Sequence, residues 1–288
     1  MSGLHIGAFP PAERDLMDEA LEAAGAADVA VVVVGTNADW ESEGWDRDTL
    51  DLPGRQDELV RRVAQACPRT IVVVNAGSPV AMPWLDDVDA VLMAWFPGQE
   101  MGDALADVLL GNVEPEGRLP VTFPRRLEDT PAFEHHPGRN GVAEYAERRL
   151  IGYRWYDTVG REPLFPFGFG LGYADTSVTG AELVDAHHVE VRVANGDAGR
   201  DGCAVVQIYA HQLDRAGLPP DEPEQRLVGF AKVPVPAGST VTAHVTLDPR
   251  AYQGWSEAAH AWVDGAGAYE LRVGTSSRHV AARLRTPG

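Results

Sequence analysis

At 288 residues, with 44% apolar and 8% aromatic side chains, the chain can bury the cores of about two domains of ordinary size. Its formal net charge of −19 repels phosphate backbones and anionic lipid, so neither nucleic acid nor a membrane surface is an expected partner. The two cysteines, Cys67 and Cys203, fall in segments of different pattern, so neither a disulfide framework nor a Cys-x-x-Cys zinc pair is expected. That usage suits a reducing compartment. Met1 to Pro11 also lack the basic-then-apolar order of a secretory signal, and the expected location is cytoplasmic.

Ala12 to Ala24 carries Leu16, Met17, Ala20, Leu21 and Ala24 at helical spacing. Val29 to Val34 follows as an unbroken β-branched run, the mark of a parallel strand covered on both faces. Gln56 to Ala66 reads as a second helix, stopped at Cys67-Pro68 because proline cannot continue it. Thr70 to Val74 and Ala90 to Ala94 are two more strands, Glu100 to Leu110 a third helix, and Gly117 to Phe123 a short strand. From Arg125 to about Asp175 the periodicity dissolves into Pro, Gly, aromatic and charged residues, and an irregular stretch of about 50 residues is expected to be functional or docked. Beyond it, Val189 to Val193, Ala204 to Tyr209, Thr240 to Leu247 and Tyr269 to Val273 alternate with period two between turn signals, which predicts a β-sandwich. The expected fold class is α/β followed by all-β: a partial parallel-sheet α/β sandwich domain over residues 1–125, a docked linker over 126–175, and a fibronectin type III-like β-sandwich over 176–288.

The loop after the first strand runs Gly35-Thr-Asn-Ala-Asp-Trp40-Glu-Ser-Glu43-Gly-Trp-Asp46-Arg47-Asp-Thr-Leu-Asp-Leu-Pro53. Further on come Pro97-Gly98-Gln99-Glu100, Gly117-Arg-Leu-Pro120, Gly152-Tyr-Arg-Trp-Tyr156, and Pro166-Phe-Gly168-Phe-Gly170. In this order the motifs resemble the C-terminal part of glycoside hydrolase family 3 enzymes of β-glucosidase type, and the resemblance covers nearly the whole chain. It implies retaining hydrolysis of a β-linked glucoside or oligosaccharide, with Glu43 as general acid/base and Glu41 a less favoured alternative. Trp40, Glu41 and Trp45 are the candidate substrate-binding residues, since aromatic faces suit the C–H face of a pyranose. Asp46 and Arg47 are read as stabilising the loop.

The residue types fit that chemistry. A retaining glycosidase uses two carboxyl groups about 5–5.5 Å apart, one nucleophile and one acid/base. Open α/β sheets place functional groups beyond the carboxyl ends of their strands, where this loop lies. The family's nucleophile sits on a (β/α)8 barrel of about 250 residues, and no Asp here is assigned that role. A barrel partner, or a homodimer formed through an exposed sheet edge, is therefore an expected partner, and the chain alone is expected to be nearly inactive. A non-catalytic sugar-binding or interaction module is the alternative. No metal or cofactor is expected: His135-His136 and His187-His188 are adjacent pairs that do not converge on one ion, and Gly168-x-Gly170-x-Gly172 does not open a helix after a strand.

Overall fold

The computed structural model describes residues 16–44 and 46–287. The chain divides into two compact units, residues 1–101 and 102–288.

The first unit is built on a three-stranded parallel sheet, β1 (Ala30–Gly35), β2 (Thr70–Asn75) and β3 (Ala90–Met93), in the order β1-β2-β3. Helices α1 (Leu16–Gly25) and α2 (Gln56–Ala66) pack together, and α2 lies on β1 and β2. Register Val32↔Val72 and Val34↔Val74 aligns the valines that the helix covers, and all four are buried. The helix expected over Ala12 to Ala24 is present from Leu16 onward, its first four positions lying outside the described residues.

One expectation needs correcting. The valine run predicted a strand covered on both faces, but β1 is an edge strand whose alternate residues Val31 and Val33 are 47% and 57% exposed, as is Val29 at 43%. Neither α1 nor α2 covers that side of β1, so within its own unit the run is buried on one face only.

The second unit opens with α3 (Met101–Leu109), whose first residue belongs to the other unit, and holds a β-sandwich. One sheet orders β12 (Val280–Arg285), β11 (Tyr269–Gly274), β6 (Gly202–Gln212) and β7 (Arg226–Val235). The other orders β4 (Thr176–Asp185), β5 (His188–Asn195) and β8 (Thr240–Thr246). Period-two alternation sends Val189, Val191 and Val193 inward, against Val206, Ile208, Leu271 and Val273 of the facing sheet, in one apolar core. A separate hairpin pairs β9 (Gln253–Ser256) with β10 (Ala261–Asp264).

Two sequence expectations fail in the stretch before the sandwich. Gly117 to Phe123 is not a strand: it makes scattered bonds to 164–169, such as Leu119 N–H to Phe169 O and Phe123 N–H to Phe165 O. Pro120 has no N–H to give, which prevents a continuous ladder. The supposedly aperiodic linker contains a two-turn helix, α4 (Tyr153–Val159), closed by Gly160 in the left-handed conformation. It escapes periodicity analysis because its rings pack in several directions. Tyr153 stacks on Phe167 at 4.9 Å, meets Tyr209 edge-on, and its hydroxyl accepts the Leu227 N–H. Asp157 binds Arg278 at 2.6 Å, tying the helix to the turn before β12.

Candidate active-site loop

The loop between β1 and α2 is fastened at both ends by one side chain. Gln56, the first residue of α2, accepts the Gly35 N–H at 2.7 Å and donates to the carbonyls of Gly35 and Pro53. An amide does this well because it carries a donor and an acceptor side by side.

Inside the loop the carboxylate that is tied down is Glu41. Arg47 donates to its Oε1 at 2.9 Å, the Gly77 N–H donates to Oε2 at 2.8 Å, and the Ser78 hydroxyl makes a very short bond to Oε1. Both charged side chains are largely buried, 12% exposed for Arg47 and 13% for Glu41. Burial pushes the Glu41 carboxyl up, but the bonds from Ser78 and Gly77 and the Arg47 charge outweigh it and hold the group below its ordinary value. Arg47 spends its other donors on Ser78 Oγ and the carbonyls of Thr49 and Pro79. The planar fork of a guanidinium allows four acceptors to be gathered from two loops.

Gly77 must be glycine for this to close. A Cβ there would lie 2.7 Å from Glu41 Oε2 and 2.6 Å from the Phe96 ring. Phe96 follows Trp95, a non-glycine residue at φ +57°, a backbone conformation disfavoured for an aromatic residue.

Glu43, two residues beyond the clamp, is exposed and makes no hydrogen bond or ion pair among the described residues. Trp40 is half-buried, its indole N–H donating to the Asp51 carbonyl at 3.2 Å. Trp45 lies outside the described residues. The structure thus brings together Glu41, Arg47, Gly77, Ser78 and Phe96, and leaves Glu43 projecting. Gly77 and Ser78 were not singled out from sequence. The available signal was their position just after β2, at the sheet end that carries the loop after β1. Among the described residues no cluster of three His, Cys, Asp or Glu side chains could hold a metal ion. A cleft of about 730 Å³ in the second unit, lined by Arg118, Tyr173, Asp175 and Arg278 among others, includes none of the predicted site residues.

A parallel-sheet unit with a carboxylate-bearing loop after its first strand, followed in the chain by an antiparallel β-sandwich, defines the class of fold. Comparison with known families makes the assignment particular. The model for the glycosyl hydrolase family 3 C-terminal domain matches residues 11–173, and that for the fibronectin type III-like domain matches residues 204–277. The chain belongs to glycosyl hydrolase family 3. A β-glucosidase of Rhizobium radiobacter is 42% identical over 292 residues, an alignment covering 98% of this chain and 35% of the relative. Among solved structures, a family 3 β-glucosidase of Bifidobacterium adolescentis superposes with a TM-score of 0.88 at 39% identity, covering 96% of this chain and 41% of that one. A Kluyveromyces marxianus β-glucosidase in complex with glucose gives 0.86 at 36% identity, covering 94% and 33%. The chain spans about a third of the length of the relatives it matches.

Proposed function

We propose that this chain acts as the C-terminal portion of a retaining β-glucosidase, with Glu43 supplying and recovering the proton at the glycosidic oxygen. The observation that carries this reading is the division of labour between two glutamates two residues apart. Glu41 is clamped by Arg47, Ser78 and Gly77, and its depressed carboxyl makes it a poor proton donor near neutral pH. Glu43 is exposed on the same immobilised loop. In this reading Glu41 anchors the loop, Trp40 and Trp45 wall the sugar, and the nucleophile comes from a barrel domain outside the 288 residues.

A retaining cycle then divides as follows. The barrel carboxylate attacks the anomeric carbon while the Glu43 carboxylic acid protonates the departing oxygen, giving a glycosyl-enzyme and a free alcohol. The Glu43 carboxylate next takes a proton from water as that water displaces the barrel carboxylate. A general acid alone contributes about 10²–10⁴-fold, well short of ordinary enzymic acceleration, so the chain by itself should barely turn over an aryl β-glucoside.

The test is reconstitution with a barrel-bearing fragment of the Rhizobium radiobacter relative. Glu43→Gln should lower kcat/KM for a glucoside with a poor leaving group about 10²–10⁴-fold, yet spare kcat/KM for a dinitrophenyl glucoside, whose leaving group needs no proton, while lowering its kcat because the attacking water loses its base. Equal loss of kcat/KM on both substrates, or none on either, would remove Glu43 from the acid role.

The open valine edge of β1 supports one further part of the proposal, that a companion sheet element covers Val29, Val31 and Val33 in the working assembly. A homodimer through the same edge is the competing occupant. Sedimentation of the chain alone and with the barrel fragment separates the two.

A further inference from the structure

The hairpin of β9 and β10 presents two tryptophans that no core requires. Trp255 and Trp262 face each other across the strands, with ring centroids 5.8 Å apart and planes at 74°. They remain 51% and 41% exposed. The next cross-strand pair on the same face, two residues along each strand, is Gln253 and Asp264, joined by a 3.0 Å hydrogen bond. Arg250 lies over the Trp262 ring at 4.6 Å, so one face of that indole is already occupied by a cation.

We propose that this face of the hairpin, formed by Trp255, Trp262, Gln253 and Asp264, is a binding platform for a neutral pyranose chain. The two rings form a corner: one indole can lie under the C–H-rich face of a sugar while the other closes its edge. The weakly positive C–H groups meet the negative ring face. The amide and carboxylate beside the corner supply a donor and acceptors for equatorial hydroxyls.

Other occupants fit less well. A chain of net charge −19 discourages polyanions. The face consists of four side chains from two four-residue strands, whereas a stable protein interface engages about 20–30 residues a side. A cross-strand aromatic pair also steadies a hairpin, but that role alone would be served with the rings more deeply covered. The platform holds sugar without cleaving it, so it stands whether or not Glu43 is the proton donor.

The test is electrophoresis of the whole chain through native gels cast with laminarin or hydroxyethylcellulose. The protein should be retarded relative to a plain gel. Trp255→Ala should weaken the apparent affinity about tenfold, the scale on which removal of an exposed aromatic anchor acts. Trp255→Tyr should retain most of the retardation, which guards against a hairpin that fails to form. Equal mobility of the wild type in plain and polysaccharide gels would overturn the proposal, as would equal retardation of Trp255→Ala. Concentration-dependent self-association abolished by Trp255→Ala would also overturn it, reassigning the rings to contact between copies.

Discussion

Two valine-rich strands meet opposite fates. In β5, Val189, Val191 and Val193 alternate with polar residues and are 1%, 0% and 0% exposed, locked under a second sheet. In β1 the valines run without interruption, and every second one faces out at about half exposure or more than 40%. The same residue type supports a finished core in one unit and an open edge in the other. The sandwich is held by apolar contact distributed over many side chains. The loop beside β1 is held instead by a few directed polar bonds onto Glu41 and Gln56. A distributed core tolerates loss at one point in proportion to the volume lost, whereas a polar clamp fails when a single partner leaves a buried charge unpaired.

The contrast can be pressed with substitutions. Leu271→Ala, at a fully buried centre of the sandwich, should cost about 2–5 kcal/mol in urea unfolding. Arg47→Ala should cost about 3 kcal/mol in the first unit by stranding the Glu41 carboxylate, and Arg47→Lys should recover little because an ammonium cannot span four acceptors. If Arg47→Ala proved near neutral, the idea of a polar clamp would fail.

The third effect is pH dependence. Because the folded Glu41 carboxyl is held below its ordinary value of 4.5, its contribution is complete above that value and is lost as pH falls through the lower folded value. Acidification from pH 7 to below 4.5 should therefore lower the melting point of the wild type more than that of Glu41→Gln, by about 2–4 °C per kcal/mol lost. An equal drop in both proteins would deny the clamp its charge. The smallest effect belongs to Val33→Thr on the open edge, which should shift stability by less than about 0.5 kcal/mol. A loss comparable to that of Leu271→Ala would mean the β1 face is covered in solution, and would bring the two strands back into line.

Much of this architecture was readable locally. Gln56–Ala66 forms the helix its spacing predicts, with the stop supplied by Cys67-Pro68. Val72 and Val74 in one unit, and Val189 to Val193 in the other, follow the periods of their elements. The helix α4 and the failed strand near Pro120 escaped because both are shaped by contacts with residues scores of positions away, such as Leu227 and Phe165. In the loop after β1 the motif order carried the family resemblance, which the family model over residues 11–173 bears out. The partners of Arg47 were not legible, since the fold delivers Glu41, Ser78 and Pro79 from positions that no local pattern links to it.

By itself the amino-acid order determined the strongly periodic helices and strands, such as α2, β2 and β5, that a parallel-sheet unit precedes a β-sandwich, and that a carboxylate-bearing loop follows the first strand. Those are consequences of periodicity, capping and breaker residues, which act over a few positions. Tertiary structure alone decided which of two neighbouring glutamates is clamped and which projects, and which face of a valine strand stays open. Burial and hydrogen bonding depend on groups that only folding brings within a few ångströms.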